Sequence, residues 1–264
     1  GKEFAYLVQY DLASGQRKTI FETNWDVMYS YVSENEKYRV IAINEDGKNS
    51  LTILDNASGQ PVAFPDIPDG DVLAVAIADS EQKMRLSVGT SKAPSNIYVY
   101  DFGTKELKKL TNTLNPEINE SDLVTAQVVR YKSFDGLETP GIYYKPLTAS
   151  PVQKVPALVW VHGGPGGQSR TGYFALLQYL VNHGYAVLAV NNRGSSGYGK
   201  TFYKMDDRNH GDKDLKDCVW GKKWLASQDY VDSTKIGIIG GSYGGYMTMA
   251  GMTFTPDEFK VGVN

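Results

Sequence analysis

The segment Gly240-Gly241-Ser242-Tyr243-Gly244-Gly245 constrains this chain more than any other, because it follows the apolar run Lys235-Ile236-Gly237-Ile238-Ile239 and opens a helix-like stretch. A serine hydroxyl is a poor nucleophile unless it is held clear of its surroundings, beside a base and beside donors that receive the oxyanion. A sharp strand-to-helix turn does the holding, and it forces strained backbone angles on the serine. Neighbours two positions away would collide with that turn if they carried side chains; Gly240 and Gly244 carry none. Ser242 is therefore the candidate catalytic nucleophile, in the strand–turn–helix context of an α/β hydrolase.

The same segment exposes a gap. In folds with this elbow the triad runs Ser, then Asp or Glu, then His along the chain. The 22 residues after Ser242 contain Asp257 and Glu258 but no histidine, and His162, His183 and His210 all precede it. The expectation is a nucleophile without its base: part of an enzyme, inactive alone.

With 264 residues and 41% hydrophobic content, the chain can bury a substantial core in two domains. Its longest apolar runs, such as Ala157–Val161 and Ala186–Val190, are strand-length and far too short to span a bilayer. A net charge of −3 with scattered Lys and Arg offers neither a nucleic-acid stripe nor a membrane patch. The single cysteine, Cys218, sits among Leu215, Val219 and Trp220 and reads as a buried structural thiol. The expected protein is soluble, with cytoplasm and periplasm both open. The start at Gly1, already near strand-like sequence, suggests that the true N-terminus lies elsewhere.

Residues 1–115 carry a weak internal repeat. Asp11, Asp55 and Asp101 each end a strand-like run and lead through Ser14-Gly15-Gln16, Ser58-Gly59-Gln60 and Gly103-Thr104-Lys105 into another, at separations of 44 and 46 residues. A four-stranded unit repeating every roughly 40–50 residues is a β-propeller blade, and about two and a half blades fit here. The competing reading is an irregular β-sandwich whose hairpins share common turn chemistry. Residues 116–126 are polar, begin with Pro116 and read as a linker. From 127 to 264 strands alternate with helices, which implies the N-terminal part of an α/β-hydrolase domain: a mostly parallel sheet with helices on both faces. Its clearest helix is Asp212–Ser227, with Asp212, Asp214 and Asp217 in the first turns complementing the helix dipole. The helix after the elbow is expected over Tyr246–Thr253, and Lys260–Val263 as the start of the next parallel strand, beside Lys235–Ile239. A strand left there without a neighbour is an unpaired edge, so homo-oligomerisation stays open.

His162-Gly163-Gly164-Pro165 ends the first central strand, where this fold places its second oxyanion donor; the other is the N–H of Tyr243. A phosphate-binding loop needs a following Gly-Lys-Ser/Thr, which is absent, and a dinucleotide fingerprint needs glycine where Ser242 stands. His162 tempts as general base, but chain order favours a loop histidine that hydrogen-bonds locally and fixes the turn. His183 and His210 read as surface or capping groups. The three histidines lack zinc-ligand spacing and Cys218 stands alone, so no metal and no cofactor is expected. Arg193 could anchor a substrate carboxylate; bracing its own loop through backbone carbonyls is the preferred reading.

Taken in order, His162-Gly163-Gly164-Pro165, Asn192-Arg193-Gly194-Ser195-Ser196-Gly197-Tyr198-Gly199, Tyr230-Val231-Asp232 and Gly240–Met247 resemble the prolyl oligopeptidase family of serine peptidases. The acylaminoacyl-peptidase and dipeptidyl-peptidase-like branch is the nearest match. The resemblance covers Gln127–Asn264; the first 115 residues match the family's N-terminal propeller by period alone. It implies a peptidase acting on short peptides, with the propeller restricting access. It also implies Ser242 as nucleophile and the backbone amides of Gly164 and Tyr243 as the oxyanion hole. The family's catalytic Asp and His match no position here, which suggests a chain on the order of 100 residues short of a complete domain. Two rivals stand beside this reading: an esterase of small acyl esters, and a non-catalytic binding module on a hydrolase-like fold.

Overall fold

A computed structural model describes residues 1–64, 67 and 70–264. The chain divides into two compact units, Gly1–Pro116 with Gly197–Lys200, and Glu117–Ser196 with Thr201–Asn264.

The first unit is built from antiparallel sheets of two, three and four strands. These are β1 (Leu7–Tyr10) with β2 (Arg17–Phe21); β3 (Asp26–Val32), β4 (Tyr38–Glu45) and β5 (Lys48–Asp55); and β6 (Asp71–Ile77), β7 (Lys83–Gly89), β8 (Asn96–Asp101) and β9 (Leu107–Lys109). The repeated aspartates do one job three times. The Asp11 carboxylate accepts from the N–H and hydroxyl of Ser14, Asp55 from those of Ser58, and Asp101 from the N–H groups of Gly103 and Thr104. Each fixes a tight turn by the Asx mechanism and is held below the usual carboxylate range by those same donors. Glu81 ties two hairpins together, accepting from the Ser33 hydroxyl and from the N–H groups of Asn35 and Lys37. The core gathers Tyr38, Ile53, Val72, Met84, Leu86, Val88 and Tyr100.

In the second unit one six-stranded sheet has the order β10-β11-β13-β12-β14-β15. Its strands are Gln127–Lys132, Glu138–Tyr144, Val155–Val161, Ala186–Val190, Val231–Gly240 and Gly262–Val263, numbered β10 to β15 along the chain. The sheet is mixed: β11 pairs antiparallel with β10 and β13, whereas β13, β12, β14 and β15 run parallel. Alternation along the central strands divides their side chains between two cores. Val159, Val161, Leu188, Ile236 and Ile238 meet Leu215, Cys218, Leu225, Met247 and Ala250 on one face. Leu158, Val187 and Ala189 meet Leu177 and Val181 on the other. The helices that cover these faces are α1 (Ala175–Asn182), on the second, and α3 (Lys213–Ala226) and α4 (Tyr243–Phe254), on the first; the short α2 (Gly199–Tyr203) precedes α3. Burial without polar partners explains why such strands read as continuous apolar runs. None of the helices among the described residues is long and apolar enough to cross a membrane.

Three details depart from the sequence reading. The helix after the elbow begins at Tyr243, directly behind the serine, and not three residues later. Asp214 and Asp217 are fully buried, so they do not merely complement a helix dipole from the surface. The stretch 116–126, polar in composition, buries Leu123 and Val124, and the Val124 N–H and carbonyl pair with the Gln178 side chain at 3.1 and 2.8 Å.

Candidate active site

Ser242 stands between β14 and α4 with φ 56 and ψ −123, a conformation costly for a residue with a Cβ. It is exposed, and its hydroxyl makes no capping bond to the helix behind it. The flanking glycines are required by close approach. A Cβ on Gly244 would lie 2.1 Å from the Val161 carbonyl oxygen, and one on Gly240 would lie 2.6 Å from the Gly244 carbonyl group. The loop after β12 runs beside the serine, since a Cβ on Gly163 would meet the Ser242 Cβ at 3.3 Å and Oγ at 3.7 Å. The structure thus brings Ser242, Tyr243 and the loop His162–Gly167 together.

Gly164 holds φ 145, and a Cβ there would strike the backbone nitrogens of Gly167 and Gly166 at 2.4 and 2.5 Å. The Tyr243 N–H opens α4, where the first amides of a helix have no partner within it. Two contacts fix the loop from behind. The Ser196 N–H donates to the Gly167 carbonyl at 3.0 Å, and His162 Nε2 lies 2.8 Å from Ser195 Oγ. His162 Nδ1 lies 2.7 Å from the Gly163 carbonyl oxygen, so both ring nitrogens are engaged away from Ser242. Burial holds this imidazole below its ordinary pKa, against the pull of that carbonyl. His183 Nδ1 bonds the Tyr179 carbonyl at the end of α1.

Arg193 is a brace, but not through backbone carbonyls. Its guanidinium grips Asp217 through Nε and Nη2, each at 2.9 Å, and Asp135 through Nη1 and Nη2 at 2.9 and 3.1 Å. With its side chain 4% exposed, a carbonyl-only cage would leave a buried cation uncompensated, and two carboxylates supply the missing charge. Asp217 also accepts from the Arg193 N–H and the Ser133 hydroxyl, joining the loop after β13 to α3 and to the turn between β10 and β11. Burial pushes the Asp217 carboxyl up against the pull of Arg193, whereas Arg193 holds the more exposed Asp135 down. The residue is committed to protein carboxylates and is not available to a substrate.

His210 is exposed, as a surface histidine would be, and it also contacts the first turn of α4. Its Nδ1 lies 2.9 Å from the Tyr243 hydroxyl, which donates to Asp214, and 3.5 Å from an Asp206 carboxylate oxygen. Burial raises the Tyr243 phenol well above its ordinary range, and the bond to Asp214 adds to this. Asp206, His210 and Asp214 each offer a ligand atom, and these atoms lie within 4.8 Å of one another. The expectation of no metal rests on histidine spacing and the isolation of Cys218, neither of which registers one histidine four residues from each of two aspartates.

Residues 172–264 match the family model described as "Prolyl oligopeptidase family". Dipeptidyl aminopeptidase BIII of Pseudoxanthomonas mexicana is 30% identical over 272 residues, taking in 100% of this chain and 39% of its own length. The acylaminoacyl peptidase of Pyrococcus horikoshii is 27% identical with a TM-score of 0.77, over 93% of this chain and 38% of that structure. A puromycin-hydrolyzing peptidase of Mycobacterium tuberculosis superposes with a TM-score of 0.85 at 22% identity, over 99% of this chain and 41% of that structure. The chain spans about two fifths of the length of each. The repeated antiparallel sheets of the first unit fit a β-propeller, and the sheet and elbow of the second fit an α/β hydrolase.

Proposed function

Because this chain belongs to the prolyl oligopeptidase family, we propose that Ser242 is the nucleophile of a serine peptidase that cleaves short peptides in the acylaminoacyl- or dipeptidyl-peptidase manner. The exposed, left-handed Ser242, clamped between Gly240 and Gly244 with Gly163 alongside, is the observation that carries this reading. In the reaction Oγ attacks the scissile carbonyl and gives its proton to a histidine. The backbone N–H groups of Gly164 and Tyr243 receive the oxyanion; on collapse that histidine returns its proton to the leaving amine, and an ester is left on Ser242. Water then attacks the ester by the same route and frees the acid. The reading requires a base other than His162, His183 and His210, whose contacts point elsewhere. Residues 1–264 alone are accordingly expected to be inert.

The test is labelling by a fluorophosphonate together with turnover of acyl-peptide and dipeptidyl anilides. The full-length protein should label rapidly and cleave one anilide class, and Ser242→Ala should abolish both. Residues 1–264 alone should react no faster than an ordinary alcohol, a loss on the order of 10⁶ in turnover when a triad member is missing. Turnover of a p-nitrophenyl ester without the anilides assigns an esterase. Absence of all reaction in the full-length protein assigns a binding module.

A further inference from the structure

We propose that Asp206, His210 and Asp214 form a binding site for one divalent transition-metal ion of the zinc class, beside the elbow but distinct from the reacting serine. Asp206 closes a 3₁₀ turn (Lys204–Asp206), His210 lies in the connection that follows, and Asp214 lies in the first turn of α3. Two features point to a cation beyond the grouping itself. First, the Asp206 side chain is 4% exposed, and its Oδ2, which faces His210, makes no hydrogen bond. Second, Asp206 and Asp214 are both buried, yet among the described residues neither has a Lys or Arg within ion-pair distance. Asp217, equally buried three residues further along α3, is neutralised by Arg193. Two buried carboxylates that face one half-exposed imidazole leave negative charge uncompensated, which a divalent ion would cancel.

The donor set selects the ion. Magnesium and calcium favour all-oxygen shells, whereas an imidazole nitrogen with carboxylates suits zinc and its neighbours. Zinc–ligand bonds of about 2.0–2.2 Å place tetrahedral ligand atoms roughly 3.4 Å apart. His210 Nδ1 and Asp206 Oδ2 are 3.5 Å apart, and the third donor lies within 4.8 Å. Three protein ligands leave a fourth position open, and His210, with its side chain 42% exposed, gives the ion an entry path. The Tyr243 hydroxyl bonds Asp214 and lies 2.9 Å from His210 Nδ1, so it would yield that nitrogen to the ion and keep Asp214 oriented as an outer partner.

The experiment measures binding and does not depend on peptidase activity. Full-length protein is stripped by dialysis against a chelator and titrated with Zn²⁺ by calorimetry, and with Co²⁺ by its visible d–d absorption. We expect one equivalent per chain, with affinity lowered at least tenfold in Asp206→Asn and in His210→Gln, and unchanged in His183→Gln. Mg²⁺ in hundredfold excess should not compete. Circular dichroism checks each variant, and His210→Gln, at a half-exposed position, decides the matter if Asp206→Asn misfolds. Absence of saturable binding, or one-equivalent binding that His210→Gln leaves intact, overturns the site.

Discussion

At Ser242 the backbone angles φ 56 and ψ −123 are held by contacts on both sides, so the hydroxyl projects into the open while the main chain turns beneath it. His162 illustrates a second kind of residue-level constraint, because its burial disfavours the charged ring while the Gly163 carbonyl favours it. Its folded pKa lies below the ordinary 6.5 as burial disfavours the cation. Between the two values the unfolded chain binds more protons than the folded one, so this contribution to stability is complete above about 6.5 and is lost as pH falls toward the folded value. Urea midpoints measured from pH 7.5 down to 5 should therefore fall more steeply in the native sequence than in His162→Gln. Parallel curves would show that the ring titrates alike in both states. The strand-to-helix turn at Ser242 was legible from the sequence because three local conditions, strand, glycine spacing and helix, coincide within ten residues. The partners of Arg193 were not: Asp217 and Asp135 lie 24 and 58 residues away, and nothing local distinguishes a carboxylate cage from a carbonyl one.

Among the elements, the three Asx turns show what a repeat preserves and what it lets vary. Gly15 and Gly59 stand at φ 71 and 70, and the matching place in the third turn is filled by Lys105 at φ 62. A residue with a Cβ costs roughly 1–2 kcal/mol in this conformation, offset in part by the smaller entropy it loses on folding. A Cβ at Gly59 would meet nothing within 4 Å, so the conformational cost stands alone there. Gly59→Ala should destabilise the first unit by about 1 kcal/mol, and Lys105→Gly should shift it the other way by less. Denaturant titration of both variants checks this, and equal signs would refute it. Strands and turns of this kind were legible because their signals are local, and so were β12, β13 and β14 as apolar runs. The start of α4 was not, since Gly244-Gly245 reads as a loop until the packing against Val161 that requires it is known. Asp214 and Asp217 failed for the same reason as Arg193. Helical periodicity gives the face of α3 on which they lie, but not the Tyr243 and Arg193 that cover it.

At the scale of the whole molecule, each hydrophobic cluster among the described residues forms within one unit. Met84 and Leu86 belong to one formed within Gly1–Pro116, and Leu188 and Ile238 to one formed within the second unit. Each unit closes its own core, so each carries its own melting free energy, and two-state behaviour need not hold across the pair. Leu86 and Leu188 are both fully buried, and truncating either to alanine should cost about 2–5 kcal/mol through lost burial and the cavity left behind. Calorimetry of the full-length protein should then show Leu86→Ala lowering one heat-absorption peak and Leu188→Ala lowering another, each leaving its counterpart in place. Labelling of Ser242 during the same thermal ramp identifies the second peak, because the elbow is built on β14 and α4, which pack in the Leu188 core. If either substitution moves a single peak as one body, the units unfold together, and the elbow's stability depends on the first core as much as on its own.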